Sequence, residues 1–304
     1  MAKFVLPMPG RRFVIAVPFV WLFLFFLLPF LILLYISFVD MGNDIDPFKP
    51  IWNTETGVLA LKYENYWSIF RREDGALFDT IYIEAYLRSI WYALCTAVLC
   101  LVIGYPFSYF IARARPSIRP ALLMMVMLPF WTSFLLRVYA WKGILADQGI
   151  VNQTLMWLGI TREPILMLYT DVSMLVGMTY VYLPFMILPL YANLVKMDFR
   201  LLEAAYDLGA SPFKAFWLVT VPLSRSGIVA GFMLVFIPSV GEFVIPSLLG
   251  GPENIMIGRV VWDEMFTSNN WPRATALAVV MIGFIVIPLA IYYHYTGDPA
   301  DKRK

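Results

Sequence analysis

Four stretches of this chain, at 13–39, 89–112, 172–195 and 274–297, each run for at least 24 residues without an aspartate, glutamate, lysine or arginine. As an α-helix, 24 residues extend roughly 36 Å, enough to cross a hydrocarbon core of about 30 Å. Two further runs are broken by a single charge: 121–141 holds Arg137 and 226–250 holds Glu242. Helices are the physical choice, because lipid offers no partner to backbone N–H and C=O groups. A transmembrane barrel would need short alternating segments, whereas these runs are continuous. The expectation is an all-α integral membrane protein with six transmembrane helices, at about 13–38, 87–112, 121–141, 172–195, 226–250 and 274–295. Prolines fall inside several of them, Pro106, Pro129, Pro184 and Pro246 among others, which a bundle tolerates when neighbours satisfy the freed carbonyls.

Composition excludes the soluble alternatives. The 304 residues are 61% hydrophobic and 14% charged, against about 45–50% and about 25% in a soluble domain. A soluble enzyme, a disordered chain and a free nucleic-acid-binding module are ruled out together. Cys95 and Cys100 lie within an apolar run and read as small packing residues rather than a disulfide framework or a metal site. The first apolar run is longer than a signal-peptide core, so it is expected to stay as a membrane anchor.

Orientation follows from lysine and arginine. The segment 1–12, the loops 113–120 and 196–225 and the tail 296–304 carry 13 of them, against 8 in the longer segments on the other side. The positive-inside rule then places both termini in the cytoplasm. The expected organisation is a cytoplasmic segment 1–12, a six-helix membrane domain 13–295 containing the cytoplasmic loop 196–225, and a cytoplasmic tail 296–304. The outer loops hold 15 of the 21 acidic residues; ordinary solvation and an electronegative, cation-gathering mouth both account for that.

Within the loop 196–225, Leu201 to Leu223 is the most informative stretch. It reads as two short helices joined by a turn. Glu203 stands near the start of the first, where a carboxylate suits the positive helix end. Gly209 can enter the left-handed conformation that stops a helix. Ser211 and Pro212 follow as N-cap and first-turn proline of the second. Ala204 and Ala205 leave a surface that another protein can approach closely.

Glu203-Ala204-Ala205, then Gly209, then Val219-Thr220-Val221-Pro222 resembles the EAA signature of ABC importer permeases, with Val219 and Val221 where Ile and Leu are usual. The likeness runs from about Phe13 to His294. Gly104-Tyr105-Pro106, Leu128 to Ser133, Arg137 to Trp141, Gly241 to Pro246 and Leu249 to Pro252 are similar to the polyamine (putrescine/spermidine) branch, the putrescine importers most of all. The resemblance implies the type I ABC importer permease fold in a bacterial inner membrane. It also implies a second, related permease, two copies of a cytoplasmic ABC ATPase and a periplasmic polyamine-binding protein. Glu203, Ala204, Ala205, Asp207, Gly209, Ser211 and Pro212 would form the contact with the ATPase. ATP and Mg would belong to that partner, since this chain has no Gly-Lys pair and hence no phosphate-binding G-x-x-x-x-G-K-[ST] loop. It would itself be a transport subunit and not an enzyme, with no catalytic or metal-ligating residues. Close relatives in the wider group carry iron, sulfate or thiamine. An ion-coupled secondary carrier and a membrane-embedded enzyme are the readings from other classes.

Ionisable residues inside a span are costly and mark either a pathway or a pair. Glu242 is a natural counter-ion for an ammonium group in transit; it could equally form a structural charge pair with Arg137. Trp131, Tyr139, Tyr180 and Tyr182 could offer ring faces to methylene chains and ammonium ends, or serve as packing and interfacial aromatics.

Overall fold

The computed structural model describes residues 11–43, 46–52, 61–70 and 80–296. Most of the expected N-terminal segment, and the tail beyond 296, lie outside the described residues. In chain order the helices are α1 (Arg11–Leu22), α2 (Leu28–Ile36), α3 (Glu64–Trp67), α4 (Thr80–Arg113), α5 (Arg119–Met127), α6 (Phe134–Leu145), α7 (Ile150–Trp157), α8 (Asp171–Leu194) and α9 (Arg200–Asp207). They continue as α10 (Pro212–Ala215), α11 (Val221–Leu223), α12 (Arg225–Val240), α13 (Val244–Leu249), α14 (Ile257–Trp262) and α15 (Trp271–Thr296). Single π-helical turns occupy Phe23–Leu27, Phe216–Thr220 and Asp263–Thr267, and a 3-10 turn occupies Leu128–Trp131.

Among the described residues, three helices are long and apolar enough to cross a membrane without interruption: Phe13–Ile36, Ile81–Arg113 and Asp171–Leu194. Two more crossings arise only if a bent pair is taken as one span, Arg119–Trp131 with Phe134–Trp157 at 87° and Pro212–Leu223 with Arg225–Val240 at 69°. Six uninterrupted spans are therefore not clearly present among the described residues. The expected 121–141 helix breaks at Thr132, which is extended, and Ser133, which is also non-helical. There the Thr132 hydroxyl donates to the Pro129 carbonyl at 2.7 Å, a local bond that competes with helix continuation. The expected 226–250 helix stops at Val240 and restarts at Val244, because Glu242 takes the amides that a continuing helix would use. The 87–112 helix starts earlier, at Thr80. α8 coincides with its expected span, opened by a capping box between Thr170 and Ser173.

The chain divides into two compact units, one of Met1–Thr80 with Val261–Lys304, the other of Ile81–Val260. In the first, α2 and α3 pack on α15. The end of α2 is closed by side chains: Asn65 Nδ2 donates to the carbonyls of Ser37 and Val39 at 3.0 and 2.8 Å, groups that a helix terminus leaves open. Nearby, the Asp40 carboxylate, 3.4 Å from the Lys62 ammonium, raises the Lys62 pKa, with Glu64 adding to it. A raised ammonium pKa stabilises below 10.5 and is lost only at higher pH, so this exposed pair adds no pH dependence near neutrality.

In the second unit the core gathers around α8, with Met174, Met178, Met186 and Leu190 fully buried against Val235 of α12 and Ile245 and Leu249 of α13. α8 and α12 cross closely because α12 offers Gly227 and Gly231, four residues apart, as small-residue membrane interfaces do. A Cβ on Gly231 would sit 2.7 Å from Met186 Sδ and 3.2 Å from its carbonyl oxygen; one on Gly227 would sit 2.7 Å from Asn193 Cβ. α4 packs on α8 through Ser108, whose hydroxyl lies 2.7 Å from the Gly104 carbonyl and 3.1 Å from that of Ile187. Gly231→Leu is expected to destabilise the purified protein by about 1–3 kcal/mol. This would be read as a lower thermal midpoint in detergent; an unchanged midpoint would show that the helices do not meet at Gly231.

Candidate functional site

The loop 196–225 folds from its own sequence. α9 carries Glu203 in its first turn, where the carboxylate faces the positive helix end. Gly209 follows α9 at φ 81°, a left-handed conformation that costs glycine least. Ser211 is extended and its hydroxyl accepts the Lys214 N–H at 3.3 Å, capping α10, with Pro212 at its first position. Glu203, Ala204, Asp207, Gly209, Ser211 and Pro212 are exposed and Ala205 half-buried. Leu208, Phe213 and Leu218 beside them are 89%, 74% and 73% exposed. The structure thus presents a short helix–turn–helix whose outer face mixes carboxylates with uncovered apolar side chains, a surface suited to a protein partner.

Glu242 lies in the gap between α12 and α13. One oxygen, Oε1, accepts the backbone N–H groups of Phe243, Val244 and Ile245 at 3.2, 3.0 and 3.5 Å, while Oε2 accepts the Tyr182 hydroxyl at 2.6 Å. Tyr182 is buried on α8, so the carboxylate is tied to two elements at once. All four donors are neutral groups, and none of them brings a positive charge to the carboxylate.

The expected Arg137–Glu242 pair is not formed. Arg137 of α6 lays its guanidinium over Phe130 and Phe134, 5.1 and 5.9 Å from the ring centres. Its buried Nε and Nη1 have no hydrogen-bond partner among the described residues. Phe134 stands three residues before Arg137 on α6, and Phe130 reaches it from the 3-10 turn across the break at 132–133, so aromatic faces meet the cation instead. The aromatics named from sequence are not one cluster. Tyr182 touches Glu242 directly, and Tyr180 packs edge-on against Trp141 at 5.5 Å. Trp131 and Tyr139 are 78% and 54% exposed. Sequence reasoning missed the amides of Phe243 to Ile245; Pro246, four residues after Glu242 and in the first turn of α13, was the signal.

At the far end of α4, Tyr92 donates to Asp171 at 2.8 Å and lies 3.2 Å from Asn254 Oδ1. Arg88 hydrogen-bonds the Glu253 carbonyl and pairs with Glu84 at 3.4 Å, and the Ser89 hydroxyl accepts the Ile257 N–H at 2.7 Å. These bonds fasten the 253–257 segment to α4. Among the described residues no cluster of three or more His, Cys, Asp or Glu could hold a metal ion.

No family model matches the chain. Two crystal structures of a bacterial transporter that imports the acidic polysaccharide alginate superimpose with TM-scores of 0.61 and 0.60 at 17% and 18% identity. The first covers 94% of this chain and 95% of that one. Helix order, broken spans and the exposed helix–turn–helix thus define an all-α, membrane-spanning ABC importer permease fold. In sequence, the chain is 37% identical over 295 residues to the spermidine/putrescine transport system permease protein PotB of Haemophilus influenzae, covering 97% of this chain and 96% of the relative. It is 36% identical over 273 residues to PotB of Escherichia coli K12, and 32% identical over 229 residues to that organism's inner membrane ABC transporter permease protein YdcU. The chain belongs to the PotB family of spermidine/putrescine ABC importer permeases. It is a multi-pass inner-membrane transport subunit and not an enzyme.

Proposed function

We propose that this chain is the permease subunit through which an ATP-driven importer takes up polyamines of the putrescine and spermidine class. The observation that carries the reading is the likeness to PotB along almost the whole of both chains. In this reading α15 and the two bent pairs complete six crossings with both termini cytoplasmic, as the lysine and arginine distribution requires. A second, related permease pairs with this one, a periplasmic binding protein delivers the cargo, and two ATPase copies sit beneath.

Glu203 to Pro212 is the contact with one ATPase. Closure of the ATPase pair moves the loop, the loop carries α8 and α12, and the pathway alternates between outward and inward openings. Glu242 and Tyr182 belong to the pathway. The four partners of the carboxylate among the described residues are neutral, so a passing ammonium group supplies the counter-charge. Aromatic faces at Trp131, Tyr139 and Tyr180 serve the methylene chain and its ammonium ends. Arg137, sheathed by two phenyl rings, keeps its positive charge away from the cargo.

The test is uptake in cells lacking this chain and restored with it, with labelled putrescine competed by a polyamine series. Restored uptake that spermidine or putrescine suppresses is expected. Restoration of sulfate or iron uptake instead would overturn the polyamine assignment.

A further inference from the structure

The loop 196–225 is fastened to more than the two helices that flank it. Tyr105, Tyr109 and Arg113 follow one another along α4 at intervals of four, on one face of the helix. The Arg113 guanidinium carbon lies 5.5 Å from the ring centre of Tyr109 and 5.8 Å from that of Phe199, and its Nη1 donates to the Tyr109 hydroxyl at 3.2 Å. Phe199 is the residue immediately before α9. Tyr109 also meets Phe216 edge-on at 6.2 Å, and Tyr105 meets it at 5.4 Å. Phe216 opens the π-helical turn that follows α10. The Tyr105 hydroxyl shares a hydrogen bond with the Ser224 hydroxyl at 2.7 Å. α4 therefore grips the loop twice, once before α9 through Phe199 and once after α10 through Phe216.

The grip has a polarity. Tyr105 and Phe216 belong to the core assembly of this unit, and the rings there pack as any core does. Arg113 is exposed at the last turn of α4, and its charge is directed onto two rings, one on its own helix and one on the loop. Each ring face attracts the cation through its quadrupole, so the guanidinium links the two rings. At its other end α4 is bonded to the 253–257 segment through Tyr92, Ser89 and Arg88. α4 has 34 residues, and its two sets of contacts, at 88–92 and at 105–113, lie roughly 20–38 Å apart along the helix.

We infer that Arg113 is a positioning residue of the transport cycle: it pins α4 to the 196–225 loop, so that displacement of the loop reaches the far face through α4 as well as through α8 and α12. The inference rests on the reading of this chain as a polyamine importer permease. The assembled importer, with partner permease, ATPase and binding protein in proteoliposomes, tests it. Arg113→Gln is expected to raise the ATP hydrolysed per spermidine taken up roughly fivefold, with Arg113→Lys restoring most of the wild-type ratio. Phe199→Leu is expected to act in the same direction, and the Arg113→Gln/Phe199→Leu pair no further than the stronger single variant. A ratio unchanged in Arg113→Gln, or uptake and hydrolysis falling in equal proportion, would overturn the inference. A second readout needs no transported cargo: spin labels at Ala114→Cys and Asp198→Cys should hold their separation through the nucleotide cycle in the otherwise wild-type assembly and drift apart in Arg113→Gln. Equal behaviour in both would refute the pin. A wild-type assembly that moves no polyamine yet keeps that separation constant would remove the polyamine reading and leave the pin standing.

Discussion

Glu242→Gln is expected to reduce polyamine uptake by about 10- to 150-fold while leaving the protein in the membrane at its normal level. Glutamine keeps the shape and one carbonyl acceptor for the amides of Phe243, Val244 and Ile245. It removes the anion, and with it the charge-assisted contact to an ammonium group, worth about 1.5–3 kcal/mol. Tyr182→Phe separates the two jobs of this carboxylate. It deletes only the 2.6 Å bond to Oε2, so it should weaken uptake far less than Glu242→Gln. Measuring both with radiolabelled putrescine, normalised to membrane abundance, decides the matter. If Glu242→Gln transports like the wild type, the carboxylate is merely holding the start of α13 in place. The same charge argument assigns Arg137 no part in binding, since its guanidinium lies over Phe130 and Phe134.

Glu203→Lys should be the more severe change. Reversing a charge in a docked protein contact costs at least the 2–5 kcal/mol of losing a desolvated partner, enough to weaken docking by about 30-fold or more. Glu203 is exposed and makes no contact that α9 needs for folding, apart from its favourable place in the first turn. Insertion should therefore be preserved while uptake falls below about a tenth of normal, with the ATPase no longer copurifying or hydrolysing without import. Wild-type uptake in this variant would remove the loop from the drive mechanism.

The sequence made some parts of the molecule readable and hid others for physical reasons. The helix–turn–helix at 200–215 was legible because each instruction is local: an acidic first turn at Glu203, a left-handed glycine at Gly209, and a serine cap with proline behind it. α8 was legible because its apolar run has a cap at one end and nothing inside strong enough to break it; even Pro184 and Pro189 sit within the helix. The breaks at 132–133 and 241–243 were hidden because hydropathy counts side chains, while the breaks are made by side-chain oxygens capturing nearby backbone groups. The Arg137–Glu242 pair failed for a related reason. Opposite charges in two spans invite pairing only when nothing closer serves each, and here the rings of Phe130 and Phe134 and the amides after Glu242 lie within the same stretches of chain. Arg113 over Tyr109 obeys a four-residue spacing that could have been read; its second ring, Phe199, depends on where the loop folds back, which spacing does not contain.

The interruptions in the membrane-spanning helices have a wider consequence. Wherever a helix ends, up to four carbonyls and four amides lose their intrahelical partners, and hydrocarbon tails can replace none of them. The stretches around Thr132 and Gly241 thus cannot turn outward to fatty chains at mid-depth. Glu242 answers for three of the amides beside Gly241, and the groups left over must look toward water or protein, so the peptide backbone by itself separates an oily flank of this subunit from a wetter one before any cargo arrives.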